Sequence, residues 1–98
     1  MTLMTKFLGA SAALALSAGA ALADPAIIFD LGGKFDKSFN EAAFNGAQRW
    51  ADETGGAFAE FEITSDAQRE QAIRQFAEAG NNPIVMAGFS WATPLAEV

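Results

Sequence analysis

The chain has 98 residues, a net charge of −6, and neither cysteine nor histidine. An acidic balance of this size argues against a nucleic-acid partner, because phosphate backbones require a basic surface. The missing histidine and cysteine exclude the commonest general base, thiolate nucleophiles, disulfides and the usual metal ligands, so we expect no catalysis, no metal site and no cofactor.

The first 23 residues have the pattern of a secretory signal peptide. One cation, Lys6, precedes an apolar run from Phe7 to Leu16, and the sequence Ala21-Leu22-Ala23 forms a small-residue cleavage site. An uncleaved N-terminal anchor is the alternative, although the apolar run is short for a membrane span. Because no cysteine follows the run, the sequence predicts a soluble periplasmic protein that is not a lipoprotein.

The first predicted strand and helix follow the signal segment directly. Ala26 to Phe29 is a continuous apolar run, which is typical of a strand buried on both faces of a parallel sheet. Ser38 and Glu41 have the spacing of a capping box, with Ser38 as the N-cap. A helix is therefore predicted from Phe39 to Thr54, and the helical spacing of its apolar residues places Trp50 on the buried face.

The second half of the chain repeats this alternation of strand and helix. Phe58 to Ile63 alternates apolar and acidic residues, which indicates an outer strand with one buried face. A helix is predicted from Thr64-Ser65-Asp66 to Ala79, followed by a strand from Ile84 to Ala87 and a third helix that begins near Ser90 or Trp91. Right-handed crossovers then predict an α/β fold, a parallel three-stranded β-α-β-α-β-(α) sheet with strand order 2-1-3.

Ligands of such sheets bind outside the carboxyl ends of the strands, where two loops of this chain meet. The loop Asp30–Ser38 does not match a phosphate-binding P-loop, because Asp36 stands where that motif needs glycine. Gly32-Gly33 lack the third glycine of the dinucleotide fingerprint. Ser38 and Ser90 have no histidine that would activate them as nucleophiles.

A binding site is therefore the remaining interpretation of these loops. Asp30 ends the first strand and can accept hydrogen bonds from a polar ligand, while Phe39 and Asn40 offer an aromatic ring and an amide beside it. The alternative is equally open from the pattern: Phe39 as the first core residue of the helix and Asn40 as a solvated one. Phe89 and Trp91, in the other loop, fit either a pocket or the core.

Two stretches carry a resemblance to a known family. "IIFDLGGKFDKSFNEAAFNGAQRWADETGG" and "NNPIVMAGFSWATPLAEV" resemble the N-terminal portion of the basic membrane protein (BMP) family, which comprises substrate-binding proteins of ABC transporters of the purine-nucleoside receptor type. The match rests on Asp36-Lys37-Ser38-Phe39-Asn40 and on Gly46. The resemblance implies part of a type I periplasmic-binding-protein lobe, with Phe39 stacked on the ligand, Asp30 and Asn40 hydrogen-bonded to it, and Gly88 and Phe89 lining the pocket wall.

This resemblance also implies an inner-membrane ABC permease as partner, and it makes residues 24–98 the N-terminal part of one substrate-binding lobe. Many family members are lipoproteins, whereas Asp24 stands here at the position of their acylated cysteine. We therefore expect a periplasmic solute-binding protein for a nucleoside or a similar solute. Two alternatives stay open: a truncated fragment without independent ligand binding, and a small flavodoxin-like enzyme.

Overall fold

A computed structural model describes residues 23–98 of the chain. The predicted signal peptide, residues 1–23, lies outside the described residues except for Ala23 and stays a prediction. The elements in chain order are β1 (Ala26–Phe29), α1 (Phe39–Thr54), β2 (Ala59–Glu62), a 3₁₀ turn (Asp66–Gln68), α2 (Arg69–Glu78), β3 (Ile84–Met86), a second 3₁₀ turn (Phe89–Trp91) and α3 (Ala92–Glu97). Within this range no helix is long and apolar enough to cross a membrane.

The three strands form one parallel sheet in the order β2-β1-β3, so the predicted fold class and strand order are confirmed. Ile28 of the central strand pairs with Phe61 on one side and Met86 on the other. All four residues of β1 are buried, as its unbroken apolar run predicts. The carboxyl ends of the three strands consequently lie at one edge, and the loops that leave them share that edge.

The main core lies between the sheet and the helix α2. Its buried members are Ile28, Ile63, Ala72, Ile73 and Trp91. Ala72 and Ile73 belong to the predicted apolar stripe of α2, and Trp91, left open by the sequence, proves to be a core residue at 3% exposure. Burial of such side chains contributes roughly 1.5–3 kcal/mol each, which makes this cluster the chief source of stability.

The opposite face of the sheet is covered by α1, and here one core prediction is wrong. Phe44 of α1 packs on Phe29 and Phe58, with ring centroids 6.4 Å apart in both pairs. Trp50 was predicted to be buried but is 38% exposed. Its ring lies against the backbone of Gly56 at the end of the helix, where it borders an apolar groove instead of filling the core.

Helix α1 has the predicted bounds, but the residue that caps it differs from the prediction. The Ser38 side chain makes no capping hydrogen bond. Asp36 takes its place, because its carboxylate accepts hydrogen bonds from the backbone N–H groups of Ser38 (2.9 Å), Asn40 (3.3 Å) and Glu41 (3.0 Å). Desolvation raises the pKa of Asp36 and is the largest single influence. The hydrogen bonds from these amides together lower it further, so the net pKa lies below its usual value. The capping-box prediction of Ser38 is therefore wrong.

We expect Asp36→Ala to lower the melting temperature of the chain more than Ser38→Ala does. The first change leaves the first-turn amides of α1 without their acceptor, whereas the second removes a hydroxyl that makes no cap. Because the folded-state pKa of Asp36 is depressed, its contribution is complete above about pH 4 and declines as the pH falls through the lowered pKa. Thermal unfolding followed by circular dichroism at pH 7 and pH 3 measures both effects. Equal melting temperatures for the two variants at pH 7 would contradict the assignment.

Candidate functional site at the carboxyl edge of the sheet

Asp30 and Gly88 meet at the carboxyl edge, although 58 positions of sequence separate them. Asp30 follows the last residue of β1, and Gly88 lies two residues beyond the end of β3, the adjacent strand. A Cβ atom placed on Gly88 would lie only 2.8 Å from Oδ2 of Asp30. Gly88 also has a φ of +125°, which other residues rarely adopt. Glycine at this position therefore leaves open the space beside one carboxylate oxygen.

The two oxygens of Asp30 have different surroundings. Oδ1 accepts a hydrogen bond from Nη2 of Arg69 at 2.6 Å and another from the backbone N–H of Leu31 at 2.7 Å. Within residues 23–98, no hydrogen bond reaches Oδ2, and the side chain is 22% exposed. Desolvation raises the pKa of Asp30, but the hydrogen bonds from Arg69 and Leu31 and the charge of Arg69 lower it further, so the net pKa lies below its usual value. Asp30 is thus an ionised carboxylate with one free acceptor.

Arg69, which the sequence analysis did not single out, connects the loops around Asp30. It is 4% exposed, and besides Asp30 it binds Asp66 through both Nε (2.9 Å) and Nη2 (2.8 Å). Its guanidinium carbon lies 4.7 Å from the centroid of the Trp91 ring, a cation–π contact. A signal was present in the sequence, because Arg69 continues the apolar stripe of α2 at helical spacing before Ala72 and Ile73.

Asn40 lies at the site but uses its amide for the protein backbone. It is the buried residue of α1, with 2% exposure. Its Oδ1 accepts from the N–H of Asp30 at 2.9 Å, and its Nδ2 donates to the carbonyl oxygens of Asp30 (2.8 Å) and Gly33 (3.0 Å). Both donors are occupied in this conformation, so the amide holds the loop after β1 against the start of α1. The predicted ligand contact of Asn40 stays a prediction.

Two phenylalanine rings at this edge are open to solvent. Phe39 is 65% exposed at the start of α1, and Phe89 is 94% exposed at the start of the turn after β3. The alternative that places Phe39 in the core is therefore wrong. Both rings are therefore available for contact with a ligand at this edge of the sheet. The ligand roles predicted for Asp30, Phe39, Gly88 and Phe89 stay predictions.

The lysine nearest the loop glycines does not form an anion cradle. Lys34 pairs with Glu60 of β2, and its Nζ lies 4.6 Å from the centroid of the Phe44 ring. Its backbone N–H donates to Glu62 at 2.7 Å. The lysine and the loop are thereby tied to the outer strand. In the part of the chain that the structure describes, no group of three acidic side chains is placed to hold a metal ion.

Among known proteins, the chain is similar to solved structures and to archaeal relatives, while no family model matches it. One of these solved structures is a solute-binding protein of an ABC transporter system from Aeropyrum pernix K1. The match has a TM-score of 0.71 and 35% sequence identity, and covers 78% of this chain and 21% of that one. The described fold is therefore similar to part of a solute-binding protein lobe.

The archaeal relatives are uncharacterized lipoproteins. Those of Pyrococcus furiosus, Pyrococcus horikoshii and Pyrococcus abyssi are 39%, 38% and 36% identical over 77, 74 and 74 residues. Each match covers 74% of this chain, and the chain spans about a fifth of the length of these relatives, 18–19%.

These relatives overturn the predicted localisation. The prediction of a periplasmic protein that is not a lipoprotein rested on the absence of a cysteine after the apolar run and on Asp24, which stands at the position of the acylated cysteine. All three relatives are named lipoproteins, which points to a lipid-anchored protein. The prediction that the protein is not a lipoprotein is therefore wrong. The similarity as a whole is to solute-binding proteins and lipoproteins.

Proposed function

We propose that the chain contributes the ligand-contacting edge of an ABC-transporter solute-binding protein of the basic membrane protein family. In this role it carries out no reaction and hands its solute to a permease. The observation that carries the proposal is the approach of Gly88 to Oδ2 of Asp30, which leaves a carboxylate oxygen accessible where two parallel strands end. Ligands of parallel sheets bind at this position.

The solute that best fits this edge has a planar ring and at least one N–H or O–H donor. Phe39 and Phe89 offer exposed ring faces on which a planar group can stack. Asp30 offers an ionised acceptor for the donor. A purine nucleoside combines both features, and the resemblance to nucleoside receptors supports the same class of solute.

The two carboxylates around Arg69 help to define this solute further. Asp30 and Asp66 share the single positive charge of Arg69, so the cluster keeps a net negative charge. A solute with phosphate groups would meet repulsion at Asp30 and would find Lys34 already paired with Glu60. A neutral nucleoside is therefore favoured over a nucleotide.

A fluorescence titration tests the proposal. Trp91 lies in the core beside the site, since a Cβ atom on Gly88 would lie 3.7 Å from its Cδ1. The chain has two tryptophans, so the variant Trp50→Phe leaves Trp91 as the reporter. We expect the emission of this variant to change on titration with guanosine, adenosine or inosine, and to stay constant with ribose, which has no ring to stack.

The titration has a matched control and a clear contrary result. Guanosine 5′-monophosphate carries the same base and sugar, and we expect it to bind more weakly than guanosine. Calorimetry on the unmodified chain checks that the fluorescence change reports binding. No response to any nucleoside in either measurement would contradict the nucleoside proposal, and tighter binding of the monophosphate would contradict the electrostatic reasoning.

A further inference from the structure

We propose that Arg69 is a positioning residue of this site: it holds Oδ1 of Asp30, so that Oδ2 is the oxygen a solute meets. The proposal rests on the proposed function only in that a solute is taken to bind at Oδ2. The contact by which Arg69 positions the Asp30 carboxylate lies within the chain itself. It can therefore be tested without any solute.

The orientation of Arg69 is fixed from several sides. Nε donates to Oδ1 of Asp66 and Nη2 donates to Oδ1 of Asp30, while Nη2 also lies 2.8 Å from Oδ1 of Asp66 as an ion pair. These two hydrogen bonds to two different carboxylates hold the guanidinium plane, and the centroid of the Trp91 ring lies 4.7 Å from its central carbon. Burial to 4% exposure leaves the side chain little room to rotate. Arg69 thus presents a preset donor to Asp30.

This arrangement explains why the two oxygens of Asp30 differ. Arg69 and the N–H of Leu31 both approach Oδ1, which turns the carboxylate so that Oδ2 lies beside Gly88. Gly88 has no side chain, so it brings no side-chain donor to Oδ2. A carboxylate fixed in this way offers a solute one acceptor in one place, and preorganised contacts of this kind lower the entropic cost of binding.

Among the charged side chains near Asp30, Arg69 is the cation that forms an ion pair with its carboxylate. From α2 and the turn before it come Arg69 and Asp66, and the Asp66 side chain is 78% exposed. The loop after β1 contributes Asp36, whose carboxylate is occupied by the amides of α1, together with Lys37 and with Lys34, which pairs with Glu60 of β2. The turn Gly88–Trp91 contains no ionisable side chain. Without Arg69, burial and the negative charge of Asp66 would favour the protonated form of Asp30, and the N–H of Leu31 would still favour the ionised form.

The test is a pH titration of the aspartate side-chain carboxyl carbons by nuclear magnetic resonance, on the full chain. Asp30→Asn identifies the Asp30 signal. In the unmodified chain we expect Asp30 to titrate below the ordinary aspartate range, and in Arg69→Met above its wild-type midpoint. The matched control is Arg74→Met, on the same helix, which removes an exposed arginine that donates only to the carbonyl of Glu97. We expect this control to leave the Asp30 midpoint unchanged.

Arg69→Lys keeps the positive charge but lacks the planar fork that reaches both carboxylates. Arg69→Lys replaces Arg69→Met in the titration if Arg69→Met fails to fold. We expect its Asp30 midpoint to lie between the midpoint of the wild type and that of an aspartate without a cationic partner. An ordinary midpoint in the unmodified chain, or a wild-type midpoint in Arg69→Lys, would overturn the proposal.

A second measurement separates this proposal from the proposed function. Guanosine affinity is measured at pH 7 and at pH 4.5. We expect the affinity to fall more between pH 7 and pH 4.5 in Arg69→Met or Arg69→Lys than in the wild type, because Asp30 is protonated at a higher pH in these variants. A lowered Asp30 midpoint without nucleoside binding would leave the Arg69–Asp30 arrangement in place and contradict the proposed solute. Nucleoside binding with an ordinary Asp30 midpoint would contradict the role of Arg69 alone.

Discussion

Asn40→Ala is expected to destabilise the chain by about 2–4 kcal/mol, because it removes three hydrogen bonds from partly buried backbone groups. The amide of Asn40 pairs with the N–H and the carbonyl of Asp30 and with the carbonyl of Gly33. With alanine these groups lose the partner that the Asn40 amide provides. Small domains have only about 5–15 kcal/mol of stability, so this loss is a large fraction of the total.

Urea unfolding followed by circular dichroism measures the change. Asn45→Ala is the matched control, because Asn45 lies on the same helix with an exposed side chain. We expect it to alter the free energy of unfolding by less than about 0.5 kcal/mol. Asn40→Asp should be as harmful as Asn40→Ala, since a carboxylate would face two carbonyl oxygens. If Asn40→Ala and Asn45→Ala proved equally stable, the backbone-clamp role of Asn40 would be wrong.

Phe39→Ala is expected to weaken nucleoside binding by about 1–3 kcal/mol, or roughly 5- to 150-fold in Kd, by analogy with aromatic residues that stack on bases. The ring is 65% exposed, so its removal takes little from the core, and we expect the free energy of unfolding to stay nearly constant. A loss of affinity without a loss of stability is the distinguishing result. Calorimetric titration with guanosine and urea unfolding measure the two quantities.

Phe35→Ala provides the control for a general effect of exposed rings. Phe35 lies in the loop that precedes α1 and is 67% exposed, but its ring packs edge-on against Phe44, with centroids 5.5 Å apart. We expect it to leave the affinity for guanosine unchanged. Phe39→Trp should retain binding because it keeps a ring that can stack. Unchanged affinity in Phe39→Ala, or an equal loss in Phe35→Ala, would rule out stacking at Phe39.

The architecture was predictable because its signals are local and periodic. The apolar run of β1, the helical spacing of α1 and the acidic alternation of β2 each fix an element, and the connection rules then leave few strand orders. The helix bounds at Phe39 and Thr54 agree with the prediction. The N-cap of α1 was predicted wrongly because Asp36 and Ser38 are both residue types that cap helices. Only the path of the backbone decides which of the two side chains turns toward the N–H groups of the first turn.

The site was predictable in position but not in connectivity. Topology alone places Asp30 and Gly88 at the same edge, and the residue types indicate what each can offer. No pattern shows that Arg69, 39 positions after Asp30, reaches back to its carboxylate. Nor does a pattern show that Asn40 is buried, because asparagine near a helix start is usually solvated. Polar pairs between residues far apart in sequence depend on how the whole fold packs, and no local pattern in the sequence shows that packing.

The close approach at Gly88 sets unequal limits on how this edge can change during evolution. Shortening Asp30 would relieve the contact of 2.8 Å that any Cβ at position 88 would make, but it would leave the φ of +125° unaltered. Glycine is thus required twice, once for space and once for backbone conformation, whereas Asp30 is required only for its carboxylate. A descendant that adapts to a different solute is therefore expected to replace position 30 first and to keep glycine at position 88.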